Sequence, residues 1–258
     1  ICSTWGNFHF KTFDGHFFQL PDTCSYVLVK MCNSPVSDFN IEIQRQIVNN
    51  SITFGKITIN LEGTVIVLTN NDIIMGDQVV YDSTYKDGIT IELSPNVKIS
   101  NKHGVSVFWE KDRSFLIELS EKYKEKTCGL CGNFNGDKSD DAFKNVICIK
   151  SIHPYFLVQC NNKSSSCSQF KTCSFFRQTS LCQQYLSSPG FSGCYDVMDM
   201  SSFEKACESD LCQCYGNHDC LCNTLTEISQ QCTHAGGQPG TWRTKQLCQT
   251  KCSANMKY

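Results

Sequence analysis

Cys128-Gly-Leu-Cys-Gly-Asn-Phe-Asn-Gly-Asp-Lys-Ser-Asp-Asp141 divides the chain into two kinds of sequence. Its cysteines form a C-x-x-C pair, and Asn133, Asn135, Asp137, Asp140 and Asp141 follow at once. Oxygen-bearing side chains set among glycines suit a hard cation such as Ca2+, which takes roughly six to eight oxygens from a tightly curled loop. The plainer reading is turn chemistry, because Asn-Gly-Asp also favours a tight turn. Upstream of the stretch, apolar and polar residues alternate and cysteine is scarce. Downstream, cysteine is dense.

A chain of 258 residues with 40% hydrophobic and 11% aromatic side chains can bury one large core or two ordinary ones. Its 19 cysteines are far above ordinary usage, and a reducing cytosol would keep them as thiols, so the secretory pathway is the natural compartment. Zinc ribbons are the competing reading. They need repeated C-x-x-C pairs, and Cys128/Cys131 is the one such pair in the sequence. The odd cysteine count calls for a bond to another chain or for a partner beyond Tyr258. The second fits a chain that opens at Ile1-Cys2 without a signal peptide, and the expectation is a piece of something longer. The net charge of −2 argues against nucleic acid as a partner, and no apolar run reaches membrane-spanning length. Asn49-Asn-Ser51 and Asn162-Lys-Ser164 are acceptors for N-glycans in a secreted chain, at Asn49 and Asn162.

Residues 8–120 read as strands. Tyr26–Val29, Phe39–Gln44, Ile57–Leu61, Thr64–Leu68, Val105–Trp109 and Phe115–Leu119 are apolar or alternate with period two. Glu62-Gly63, Asn70-Asn-Asp72, Lys86-Asp-Gly88 and Lys102-His-Gly104 supply the turns between them. Many short strands without intervening helices give a mainly β chain, an antiparallel β-sandwich. From Cys167 onward the spacing changes, and helical turns are expected over Gln178–Leu186, Ser202–Glu208 and Thr224–Cys232. Ser201 or Ser202 would cap the second of these. This is a small α-helical module stapled by disulfides, the usual solution where a core is too small to stand alone.

Cys2-Ser-Thr-Trp-Gly-Asn-Phe-His-Phe-Lys-Thr-Phe-Asp-Gly15, Cys24-Ser-Tyr-Val-Leu28 and the CGLCGNFNGD run resemble the von Willebrand factor type D domain. The segment from Cys167 to Cys248 resembles the eight-cysteine module that follows it, and Cys252 onward the start of a trypsin-inhibitor-like module. The resemblance divides the chain into 1–160, 161–250 and 251–258, and is nearest the first D assembly of gel-forming mucins, with otogelin-type matrix proteins close behind. It implies a Ca2+ site in which Asp14, Asn133, Asn135, Asp140 and Asp141 give side-chain oxygens. At position 137 it implies a backbone carbonyl, where the residues themselves suggest the Asp137 carboxylate. It also implies disulfides Cys2–Cys131 and Cys32–Cys128, with Cys24 closing onto Cys160. One departure is that the Gly-Asn-Ser-Trp-like stretch usual before that last cysteine is missing between Asp141 and Cys160.

The function the resemblance implies is non-catalytic: a secreted Ca2+-binding module that travels through the ER, Golgi and secretory granules. There it associates with other D assemblies of its own kind in a pH-dependent, disulfide-linked way. His9, His16, His103, His153, His218 and His234 are the histidines available to sense pH. A redox role for the C-x-x-C pair needs a lowered thiol pKa and access. The acidic loop beside it opposes the first. His234 with the methionines does not make up a copper ligand set.

Overall fold

The computed structural model describes residues 1–6, 8–20, 23–32, 38–48, 51–94, 96–111, 113–141, 175–213 and 218–249. The chain divides into two units, Ile1–Cys167 and Ser168–Tyr258. In the first, β1 (Cys2–Trp5), β2 (His9–Lys11) and β3 (Phe17–Gln19) are short, while β4 (Ser25–Met31), β5 (Phe39–Val48), β6 (Ser51–Leu61) and β7 (Thr64–Thr69) are long. Two small strands follow, β8 (Ile73–Met75) and β9 (Gln78–Val79). Next come β10 (Thr84–Lys86), β11 (Ile89–Glu92), β12 (Val97–Asn101), β13 (Val105–Glu110) and β14 (Ser114–Leu119), then β15 (Thr127–Cys128). One antiparallel sheet runs β10-β11-β12-β13-β14-β1-β2-β3 and the other β15-β4-β5-β6-β7-β8-β9.

Alternation explains which faces meet. In β13, Val105, Val107 and Trp109 are buried while Ser106, Phe108 and Glu110 are partly exposed. Val29, Ile41, Ile59 and Ile66 from one sheet and Ile91, Ile99, Val105 and Phe115 from the other join a single buried cluster. The expected antiparallel sandwich is therefore borne out. Its hairpins use the turn chemistry of the sequence. Glu62 and Gly63 have φ of 52° and 90°, and Asp87 and Gly88 of 53° and 80°, the paired positive values that match a two-residue turn to the twist of its strands.

One of the buried polar side chains is an arginine. Arg45, at an irregularity in the β5–β6 register, is 4% exposed and donates to Gly6 O at 3.0 Å and to Thr4 Oγ1. Its guanidinium stands 5.2, 5.3 and 5.0 Å from the rings of Phe8, Phe10 and Phe54. Burial lowers its pKa to about 9. Aromatic faces, one carbonyl and one hydroxyl stand in place of a counter-ion here, as a weakly hydrated planar cation allows.

The chain leaves the second sheet through β9, whose two residues are both exposed, and enters the first through β10. Tyr81 on the way and Tyr85 within β10 are 81% and 73% exposed.

The second unit holds α1 (Phe175–Leu186), a 3-10 turn at Pro189–Cys194, α2 (Ser201–Gln213) and α3 (His218–His234). Each helix is longer than the spacing predicts. Leu221, Leu225, Ile228 and Cys232 form one fully buried stripe along α3, at helical intervals. The expected serine cap is corrected: α2 begins at Ser201, and the Asp199 carboxylate accepts the Ser201 amide at 3.0 Å and hydroxyl at 2.6 Å. Disulfides join Cys182 to Cys207, Cys194 to Cys232 and Cys222 to Cys248. Gly190 lets Trp242 lie against the 3-10 turn, where a Cβ would come within 2.5 Å of Trp242 Cβ.

Candidate ion-binding loop

Two turns distant in sequence meet at the loop. The first is Thr12–His16 between β2 and β3, closed by Thr12 N to His16 O at 3.0 Å and His16 N to Thr12 Oγ1 at 2.9 Å. The second follows β15. It is fixed to β4 because Leu130 N donates to Val27 O at 3.1 Å and Cys131 N to Leu28 O at 2.8 Å. Gly129, at φ 122°, permits this approach, since a Cβ there would lie 2.5 Å from Leu28 O. Phe13 N donates to Cys131 O at 3.0 Å, and the Phe13 and Phe134 rings pack 5.0 Å apart, which ties one turn to the other.

On this frame the acids and amides converge. Asp14 Oδ2 accepts from Asn135 N at 3.1 Å and Asp14 Oδ1 from Gly136 N at 2.8 Å. Asp140 Oδ2 accepts from the side-chain amides of Asn133 at 3.0 Å and Asn135 at 2.7 Å. Asn135 Oδ1 takes the Asp137 amide at 2.7 Å. Asp137 turns to Ser139: its carboxylate accepts the Ser139 amide at 2.9 Å, and hydrogen bonds from the Ser139 hydroxyl and amide hold its pKa below the ordinary value.

Asp141 differs from the rest. Both its carboxylate oxygens are buried and have no hydrogen-bond partner. Thr12 and the Asn133 amide are near enough to favour its charge without closing a bond, while desolvation, Asp14 and Asp140 oppose that charge, and its pKa is raised on balance. Gly132, at φ 82°, leaves the room it occupies, because a Cβ there would fall 2.0 Å from Asp141 Oδ1. Burying a carboxylate without a partner is costly. Oxygen donors and an uncompensated negative charge fit a hard cation. Among the described residues, no group of three or more His, Cys, Asp or Glu is arranged to hold a metal ion, so such a site depends on the asparagine and backbone oxygens as well. The sequence reading missed Thr12 and Gly132. Both stand inside the quoted motifs; the part of Thr12 depends on a contact across more than a hundred residues, and that of Gly132 on how the loop curls back on itself.

The structure bonds Cys2 to Cys131 and Cys32 to Cys128. The C-x-x-C pair is thus divided between two bridges, one to β1 and one to the end of β4. Cys24 is also disulfide-bonded, and its expected partner Cys160 lies outside the described residues. So do Asn49, Asn162, His153 and the stretch 251–258. Among the histidines, His9 is buried and stacks on Trp5 at 5.3 Å, His16 lies 6.0 Å from Phe18, and His103 Nε2 is 3.4 Å from Glu62 Oε1. His218 opens α3 and His234 closes it, exposed.

Residues 2–146 match the von Willebrand factor type D domain model, and residues 181–249 match the C8 domain model. Over its whole length the chain is 35% identical to Mucin-5AC of Homo sapiens, covering 5% of that protein. It is also 32% identical to human Mucin-2 and 32% to human Mucin-5B, covering 5% and 4% of them. The chain therefore spans about a twentieth of these human relatives.

Proposed function

We propose, for a chain that belongs to the von Willebrand factor type D domain family, the role of a non-catalytic, calcium-binding assembly module in a secreted gel-forming mucin. The likeness to three mucins along the entire chain supports the mucin setting. In that role it passes through the ER, Golgi and secretory granules and carries N-glycans. It associates with other D assemblies of its own kind, under control of pH and Ca2+, on the way to disulfide-linked multimers in a mucus gel.

The observation that carries the cation is the buried, unpaired Asp141 carboxylate beside Asp14 and Asp140. Asp14, Asn133, Asn135, Asp140 and Asp141 would hold Ca2+, with position 137 contributing its carbonyl. The ion would supply positive charge to the acids and clamp the β2–β3 turn to the end of the sandwich. The non-catalytic reading is supported by Cys128 and Cys131 each being bound to a different strand region, which leaves no dithiol for exchange.

Thermal unfolding in Ca2+ and in chelator tests the cation. A ligand at a hundred times its Kd stabilises by about 2.7 kcal/mol. Ca2+ should raise the Tm of the natural chain and leave Asp141→Ala unmoved. In chelator the variant should be no less stable than the natural chain, since it loses an unpaired buried charge. A natural chain whose Tm ignores Ca2+ rules the site out. Sedimentation of the chain at neutral and mildly acidic pH, with and without Ca2+, tests the association. A monomer under all four conditions rules that out.

A further inference from the structure

Asn135-Gly136 is the one Asn-Gly dipeptide in the chain, and it lies in the loop just described. This pairing is chemically labile. Glycine leaves its amide nitrogen free to approach the side-chain carbonyl carbon before it, because no Cβ stands in the way. We propose that Asn135 is a latent site of spontaneous deamidation, blocked in the folded chain by the Asp14 carboxylate.

The reaction forms a bond from Gly136 N to Asn135 Cγ and breaks the bond from Cγ to Nδ2. The Gly136 amide proton passes through solvent to the leaving nitrogen, and ammonia departs. Water then opens the five-membered imide at either carbonyl and yields aspartate or isoaspartate at position 135. No oxidant or enzyme is required.

The loop holds each of the three reacting atoms. Gly136 N, the nucleophile, donates to Asp14 Oδ1 at 2.8 Å. A proton shared with a carboxylate is harder to remove, and the bond keeps the nitrogen from turning onto Cγ. Asn135 Nδ2, the leaving group, donates to Asp140 Oδ2 at 2.7 Å, which restrains the side-chain amide. Asn135 Oδ1, where negative charge gathers during attack, accepts the Asp137 amide at 2.7 Å, and a donor at that place favours the reaction. The electrophile is polarised and the nucleophile is withheld. Gly136 has φ 89° and open space around it, so crowding does not protect the step. Asp14, 121 residues upstream, does so alone among these contacts at the nucleophile.

Conversion puts a further carboxylate into the acid ring, and the iso form adds a methylene to the backbone. Either product ends the arrangement in which Asn135 donates to Asp140. The loop thus carries an irreversible chemical age that runs whenever the β2–β3 turn leaves it.

Peptide mapping by mass spectrometry after incubation at neutral and mildly alkaline pH reads amide-to-acid conversion at position 135. Four samples decide it: the folded natural chain, the reduced and denatured chain, Asp14→Ala and Asp140→Ala. The folded natural chain should convert roughly tenfold more slowly than the denatured chain or than Asp14→Ala, about 1.4 kcal/mol in barrier. Asp140→Ala frees the leaving amide but keeps Gly136 N on Asp14, so it should stay nearer the natural rate. A folded chain converting as fast as the denatured one overturns the proposal. Equal rates for the two variants overturn the role of Asp14, and so does an Asp14→Ala that converts no faster than the natural chain.

Discussion

In the sandwich, Cys2–Cys131 and Cys32–Cys128 close sequence separations of 129 and 96 residues around a core that is otherwise aliphatic and aromatic. In the helical unit, the three described bridges close 25, 38 and 26 residues, and Cys182, Cys194, Cys207 and Cys232 are themselves at its buried centre. Loop entropy alone would make the long bridges the more stabilising. The apolar surface available points the other way. The sandwich stacks whole rows of isoleucine, valine and phenylalanine between two sheets, while the described residues of the helical unit bury a smaller apolar set, Phe191, Phe203, Leu221, Leu225 and Ile228 among them. Dependence on a disulfide is set by what remains after it is gone.

The largest effect that would test this contrast comes from removing a helical bridge. Cys194→Ala with Cys232→Ala should cost the helical unit about 2–5 kcal/mol. Peptide-resolved hydrogen exchange should show protection falling in α1, α2 and α3 while β5 and β6 keep theirs. Protection falling equally in both units breaks the comparison.

A smaller effect sharpens it from the sandwich side. Gly129→Ala forces a side chain onto φ 122° and against Leu28 O, and should cost roughly 1–3 kcal/mol. Gly63→Ala, at φ 90° with nothing within 4 Å, should cost less, by denaturant unfolding of each variant. Equal losses would mean that the close seat of the C-x-x-C turn on β4 contributes nothing.

The smallest effect at neutral pH is that of Tyr123→Phe. The Tyr123 hydroxyl is buried and unpaired, and burial, helped by Asp38 and Glu62, pushes its pKa from 10.0 up to about 12. The folded state therefore keeps a proton that the unfolded state gives up. The contribution is fully present below pH 10.0 and is lost as pH rises through about 12. Tyr123→Phe should leave stability near pH 7 unchanged and make the alkaline limb of its pH–stability curve shallower. An unchanged alkaline limb refutes the assignment.

How much of this was legible depended on pattern length. Tyr26–Val29, Phe39–Gln44, Ile57–Leu61, Thr64–Leu68, Val105–Trp109 and Phe115–Leu119 all fall within described strands, because alternation over four or more residues is hard to produce otherwise. The Cys2–Trp5 strand is buried at every position, so it shows no alternation, and β8, β9 and β10 are too short to show any. The helices extend past their reading at residues 175–177, 209–213 and 218–223, because apolar periodicity marks the buried middle of a helix better than its ends. In the loop after the C-x-x-C pair, the quoted acids and amides do lie together with Asp14. What no local pattern could give was which carboxylate would be left without a partner. Asp141 is unpaired because Asn133 and Asn135 turn to Asp140 and the backbone amides turn to Asp14.

The outermost strands of the two sheets, β10 and β3 on one and β9 and β15 on the other, are each two or three residues long. A long free strand edge is a template on which another chain can add a strand. Two or three residues offer too few backbone groups to hold an incoming strand. The association proposed above would then rest on side chains, which can be specified one residue at a time and set a defined geometry.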